Sequence, residues 1–237
     1  MIKNENNIKK VKEINQEWIK ELEEDPQLKQ LILVYEPFSE DYWKEKYKIV
    51  WYNLEPGGKI GNDNELILKS SSYRSLLEKN NQTMVNTSLF IYCLYNKLIR
   101  IEIDDNKRES ARKNYNSLME CMSKVTYMNL IKDMNGSSKF DRNYFWRFFN
   151  TDIYPNNRER TIRINDALNP DILIVTGEGK DLFEQLYKKK YDEKHSFVHN
   201  NTLFVCLGHP GRGWSKNYIP YNVNMINDNL IRYNLTK

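Results

Sequence analysis

At the start of the chain the apolar residues fall at helical spacing. Ile8, Val11, Ile14, Trp18 and Leu22 lie three or four apart, which predicts an amphipathic helix with one face on a core. Asp25-Pro26 ends it, and a shorter apolar stretch at residues 31–34 follows. Beyond that the pattern changes. Four short runs, at residues 47–52, 125–130, 171–176 and 202–207, are apolar continuously rather than alternately, rich in β-branched or aromatic residues, and closed by turn-forming residues. Runs of that kind are strands covered on both faces, as in a parallel sheet. Helical spacing returns between them: Ala111, Tyr115, Leu118, Met119 and Met122 share one face, and Leu182, Phe183, Leu186 and Tyr187 another. Strand alternating with helix predicts a three-layer α/β/α domain with a central, mostly parallel four-stranded sheet. With no repeat and no low-complexity linker, the simplest partition is a helical N-terminal extension (residues 1–35) followed by one α/β domain (residues 36–237).

Composition narrows the class without naming a function. Lys+Arg number 36 against Asp+Glu 32, a net charge of only +4, and charged residues make up 29% of the 237. That excludes a polybasic tail and an acidic disordered chain. No segment approaches the run of about 18 apolar residues that spans a bilayer, and the first residues, Met-Ile-Lys-Asn-Glu-Asn-Asn, contain no apolar core of a secretory signal. Cys93, Cys121 and Cys206 are widely separated, odd in number and without a Cys-x-x-Cys pair, which argues against a disulfide framework and a zinc or iron–sulfur site. A cytoplasmic protein without cofactor or structural metal is the expectation.

In parallel sheets ligands bind outside the carboxyl ends of the strands, so the chemistry is sought just after each run. The first run is followed by Asn53-Leu54-Glu55-Pro56-Gly57-Gly58, a carboxylate in a rigid turn whose glycines let backbone N–H groups approach a ligand; taken alone, an ordinary strand-to-helix turn with a solvated Glu is the favoured reading. The second contains Asn129, whose amide offers donor and acceptor to a planar heterocycle or ties down a loop. The third ends in Thr176-Gly177-Glu178-Gly179, which lacks the third Gly of a dinucleotide fingerprint and the Lys-Ser/Thr of a P-loop and reads as close strand–helix packing. The fourth ends in Gly208-His209-Pro210-Gly211-Arg212-Gly213-Trp214, a histidine ahead of a glycine-rich basic turn. His195 and His199, in the charged stretch 188–200, read as surface.

Two further stretches carry alternative readings. Phe140, Tyr144, Phe145, Trp146, Phe148 and Phe149, interleaved with Arg142 and Arg147, read as core or as a loop packed on it, with a stacking platform for single-stranded nucleic acid as the alternative. Arg158, Arg160 and Arg163 lie on a helix capped near Asn156 or Asn157 and read as a solvated face, with phosphate contact as the alternative.

Taken in order, the four strand ends resemble the uracil-DNA glycosylase superfamily. Asn53-Leu54-Glu55-Pro56-Gly57 stands where that family has Gly-Gln-Asp-Pro-Tyr or Gly-Glu-Ala-Pro-Gly, and Met128-Asn129-Leu130 resembles its Thr-Asn-Leu-like motif. Asn169-Pro170-Asp171-Ile172-Leu173-Ile174-Val175-Thr176-Gly177 is similar to its Pro-Asp/Lys-x-Ile-Val-x-x-Gly strand, and His209-Pro210-Gly211 to its His-Pro-Ser. The likeness runs over residues 46–215. The chain departs from the pattern at Asn53 and Leu54, at Glu55 (Asp, Asn or Ala in the family) and at Gly211, positions of the base pocket and the phosphate turn, so the resemblance does not imply uracil as the base.

The resemblance implies a monomeric DNA glycosylase that flips a damaged or modified base into a pocket and hydrolyses its N-glycosidic bond. It implies Glu55 beside the oxocarbenium-like sugar, His209 as donor to the departing base, and Asn129 on the base edge. Asn53, Leu54, Pro56, Gly57 and Gly58 would shape the pocket. Gly211, Arg212, Gly213 and Lys216 would meet DNA phosphates, with Trp214 as a wedge into the space the base leaves. Two other readings stand beside it: the same fold binding DNA or a modified base without turnover, and an unrelated α/β protein that binds a nucleotide or phosphate at these ends.

Overall fold

A computed structural model describes residues 2–24, 40–53, 77–78, 81–130, 142–211, 214–215 and 217–237. Five strands form one sheet: β1 (Ile49–Asn53), β2 (Thr126–Asn129), β3 (Ile172–Thr176), β4 (Ser196–His199) and β5 (Thr202–Leu207), in the order β2-β1-β3-β5-β4. β2, β1, β3 and β5 are parallel, and β4 pairs antiparallel at the edge of β5. The four predicted strands are all present. The fifth, β4, lies inside the stretch read as charged surface: Ser196 and Phe197 are buried while their neighbours are not, a pattern too short to stand out in the sequence.

Every residue of β1 and β3 is buried, because the sheet is covered twice. Side chains alternate between the two covers. Ile49 and Trp51, Ile172 and Ile174, and Leu203 and Val205 enter one core with α2 (Gln82–Leu98), α3 (Asp105–Lys113), α4 (Tyr115–Ser123) and α8 (Tyr218–Arg232). Val50 and Tyr52, Leu173 and Val175, and Phe204 enter the other with α1 (Ile2–Glu24), α5 (Arg142–Phe148), α6 (Asn157–Leu168) and α7 (Gly179–Tyr187). The architecture is three-layered, α/β/α. No helix of the described residues is long and apolar enough to cross a membrane.

Several sequence expectations change in detail. The face shared by Ala111 to Met122 belongs to two helices, broken at Asn114, whose side chain accepts from the Ser117 N–H at 3.3 Å and so caps α4. Within the aromatic stretch Phe145, Phe148 and Phe149 are fully buried core and Trp146 is half-buried, while Phe140 and the Tyr144 side chain lie outside the described residues. The arginines of α6 are engaged within the protein: Arg160 is buried, whereas Arg158 is partly exposed and Arg163 stays on the solvated face. Arg160 pairs with Glu21, Arg163 makes a two-pronged bond to Glu17 at 2.7 and 2.9 Å, and the Arg158 Nε–H donates to the Phe149 carbonyl at 2.7 Å. With Val11 and Ile14 buried beside them, those pairs fasten α1 to α6, so the N-terminal helix is part of the outer layer. Leu31 to Val34 lies outside the described residues.

Asp192 ties the sheet edge to α8. Its Oδ1 accepts from the Lys194 and Ser196 N–H groups at 2.9 Å, and its Oδ2 from Arg232 and the Tyr233 hydroxyl at 3.1 Å. Burial alone would raise its carboxyl pKa; the Ser196, Tyr233 and Lys194 hydrogen bonds outweigh it and hold the group below its ordinary range. Glu17 is likewise lowered, by its hydrogen bond from Arg163. A depressed folded pKa adds stability that is complete above the unfolded value of about 4 and is lost as pH falls through the folded value. Thermal melts should therefore show the protein weakening below about pH 4. Asp192→Ala should remove about 1–3 kcal/mol at pH 7 and flatten that acid limb; an unchanged limb would assign the acid sensitivity to other groups.

Candidate functional site

The connections of the sheet create a topological switch point between β1 and β3. β1 and β3 are neighbours, yet the chain leaves β1 through α2 to α4 on one face towards β2, and leaves β3 through α7 on the other face towards β5. Helices that part to opposite faces leave a gap at the carboxyl ends of the two strands. The register makes those ends level: Asn129 stands opposite Asn53, Val175 opposite Tyr52, and Thr176 opposite Leu207. Four parallel ends thus form one rim, about 14 Å long at the usual strand spacing, and each leads into a stretch singled out in the sequence.

Asn53 is only 5% exposed and its amide is committed inward: Oδ1 accepts from the Trp51 indole N–H at 3.2 Å, and Nδ2 donates to the Tyr127 hydroxyl. The amide thereby locks β1 to β2 where they end. Asn129 is placed by its backbone alone, beside Asn53. Leu54, Glu55, Pro56, Gly57, Gly58, Arg212, Gly213 and Lys216 lie outside the described residues.

The turn after β5 is held from two sides. The Gly208 N–H donates to the Tyr218 hydroxyl of α8 at 2.7 Å, and burial keeps that phenol raised and protonated. On the other side Asn86 of α2, 5% exposed, donates from Nδ2 to the Pro210 carbonyl at 2.6 Å. Between the two anchors the Gly211 N–H donates to His209 Nδ1 at 3.0 Å. A nitrogen that accepts carries no proton, so the neutral imidazole holds its proton on Nε2 and is a hydrogen-bond donor there.

Gly211 has a steric reason to be glycine. A Cβ there would stand 2.7 Å from Thr83 Oγ1 and 3.0 Å from His209 Cε1, so the hydroxyl of α2 occupies the room that a serine would need. Trp214 does not project. It stacks on Tyr218 at 4.5 Å and 22°, meets Phe90 edge-on at 5.7 Å, and packs on the first core. A wedge would have to leave that packing.

At the end of β3, Gly177 adopts φ 54° and its N–H reaches the Leu207 carbonyl at 3.2 Å, while Gly179 lies against Val175, the close packing expected of this turn. The stretch also supplies a carboxylate that the sequence reading passed over: Glu178 precedes α7 and stands 3.2 Å from Arg142 Nε. Arg142 and Trp146 continue away from the rim into a cleft of 340 Å³ that Asp181, Glu184, Gln185 and Lys190 complete.

Burial pushes the thiols of Cys93 up to about 12 and of Cys121 and Cys206 up to about 11, so none is a thiolate nucleophile at neutral pH. Among the described residues the chemistry at the rim is that of an imidazole donor, a carboxylate and backbone groups. The anchors from α2 and α8 were missed in the sequence, although Asn81, which accepts from the Met84 N–H at 3.0 Å, is a legible helix start. Compared with known proteins, the chain matches no family model, no curated protein and no solved structure.

Proposed function

We propose that this chain is a DNA glycosylase-like protein that takes a damaged or modified base into the crevice at the carboxyl rim and hydrolyses its N-glycosidic bond. The observation that supports this reading best is the level rim itself: the four stretches that resemble the superfamily include or adjoin the carboxyl ends of four neighbouring parallel strands. The imidazole at the rim is set as an Nε2–H donor, the form a departing anionic base requires.

The reaction breaks the bond between C1′ and the base nitrogen, and water supplies the balance: hydroxyl to C1′, proton to the base. Glu55, two residues past the end of β1, is the carboxylate for the positive sugar and the attacking water. His209 donates from Nε2 to the charge that develops on the base, and Asn129 reads the base edge. The stretch 211–216 meets phosphates through Gly211, Arg212, Gly213 and Lys216, and Trp214 serves as a wedge on leaving its packing against Tyr218 and Phe90. The setting is that of a cytoplasmic monomer acting on DNA.

A second reading, a DNA- or modified-base-binding module without turnover, is favoured by one observation. Asn53 fills the place of the family's opening glycine and spends its side chain on Trp51 and Tyr127. Oligonucleotides carrying uracil and several modified bases separate the readings. An enzyme leaves abasic sites that alkali converts to strand breaks, a binding module retards the strand without breaks, and a nucleotide-binding protein takes up free nucleotide and shows no affinity for DNA. The proposal expects breaks at one modified base and fails if no oligonucleotide breaks.

A further inference from the structure

We propose that Asn86 is a positioning residue that sets the orientation and tautomer of His209 through the peptide unit joining Pro210 and Gly211. The carbonyl of that unit belongs to Pro210 and its N–H to Gly211, and the described residues contain no cis peptide, so the two groups point in opposite directions. Asn86 Nδ2 holds the carbonyl at 2.6 Å, and the N–H is thereby turned towards His209 Nδ1, which it reaches at 3.0 Å. Rotating the peptide plane would break both bonds together.

Asn86 is itself oriented. Gln82, one turn earlier on α2, donates from Nε2 to Asn86 Oδ1 at 2.8 Å, which fixes the amide with its NH2 towards Pro210. The turn runs close to the helix here, since a Cβ at Gly211 would stand 2.7 Å from Thr83 Oγ1. A buried amide on a core helix is thus linked in three steps to a ring nitrogen at the sheet rim. The buried location adds to the constraint, because a Pro210 carbonyl left without its donor would lose a hydrogen bond that water cannot replace there.

The inference rests on the glycosylase reading only for its kinetic consequence; the tautomer it assigns is observable without any substrate. With three histidines in the chain, the ring nitrogens of His209 are identified in a 15N-histidine-labelled sample by their loss in His209→Ala. The wild-type protein above pH 8 should show a single neutral Nε2–H tautomer at His209. Asn86→Leu keeps the branched shape of the side chain, in a somewhat larger volume, and removes the donor. It should give averaged, mixed-tautomer shifts at His209, with the Gly211 amide exchanging about 2- to 10-fold faster, the equivalent of one hydrogen bond. Gln82→Ala removes an exposed side chain, leaves the helix packing untouched and should move His209 in the same direction, so the test survives if Asn86→Leu fails to fold. Asn86→Gln, which retains a donor, should restore the wild-type signature.

If the wild type releases a base, Asn86→Leu should lower kcat about 100-fold with KM nearly unchanged, the cost of misplacing a reacting group, and Asn86→Gln should recover most of it. If the wild type releases none, the glycosylase reading falls while the tautomer measurement still decides this one. Unchanged His209 shifts and Gly211 exchange in folded Asn86→Leu, or in Gln82→Ala, would overturn the inference.

Discussion

His209→Ala should lower the single-turnover rate of base release by about 10²–10³-fold, the usual effect of removing one preorganised donor to a developing anion. Glu55→Gln should lower it by about 10²–10⁴-fold, because an amide neither stabilises an oxocarbenium-like sugar nor takes a proton from water. Both variants should melt close to wild type. His209 is partly exposed on a turn whose anchors, Asn86 and Tyr218, remain in place without it. Unchanged release from both variants would remove these two residues from the mechanism.

The largest structural effect is expected at Gly179. A Cβ built there stands 2.2 Å from Val175 Cγ2 and 3.0 Å from Leu130 Cδ1. Neither neighbour gives way easily. Val175 is β-branched, fully buried in β3 and packed in the second core, and Leu130 is 1% exposed. Gly179→Ala should therefore force α7 away from the sheet at a cost of about 1–3 kcal/mol. For a chain of this length that is a fall in melting temperature of about 2–4 °C per kcal/mol, partly offset by alanine's better helix propensity. Because α7 starts beside the switch point, the displacement should also carry Glu178 and weaken substrate binding. An unshifted melting temperature would mean that the helix accommodates the methyl group.

What the sequence made legible was what local pattern encodes. The four parallel strands stood out because a strand buried on both faces must be apolar at every position, as β1 and β3 are. The close packing after β3 was readable because two glycines flank a single residue there. The helix that matters most for the turn at His209 was not legible. α2 is buried around most of its circumference, including Asn86, Thr87 and Ser88 among polar residues and Leu89, Phe90, Ile91, Cys93 and Leu94 among apolar ones. A helix covered on several sides has no polar stripe, so no 3.6-residue period marks it. The arginines of α6 misled for the opposite reason. Their partners, Glu17 and Glu21, are more than 130 residues away, and no local signal distinguishes an arginine facing water from one facing another helix.

The candidate site divides in the same way. Position at a strand end could be read from the chain, and the level of the four ends follows from strand register. The state of His209 could not be read, because its tautomer depends on a glycine N–H two residues on and a helix that lies more than 120 residues earlier. Asn53 shows the converse. Its place in the stretch Asn53-Leu54-Glu55-Pro56-Gly57 at a strand end made it look like part of a pocket, and only the neighbouring β2, through Tyr127, reveals that its amide is engaged in the core.

The most direct test of the account is the mass of an oligonucleotide before and after incubation with the wild-type protein, across a panel of uracil and modified bases. The account predicts that for one base the strand loses that base and gains a hydroxyl at C1′ with its backbone intact, while the free base appears in equal amount. Strands of unchanged mass across the panel, whether or not the protein binds them, would contradict it.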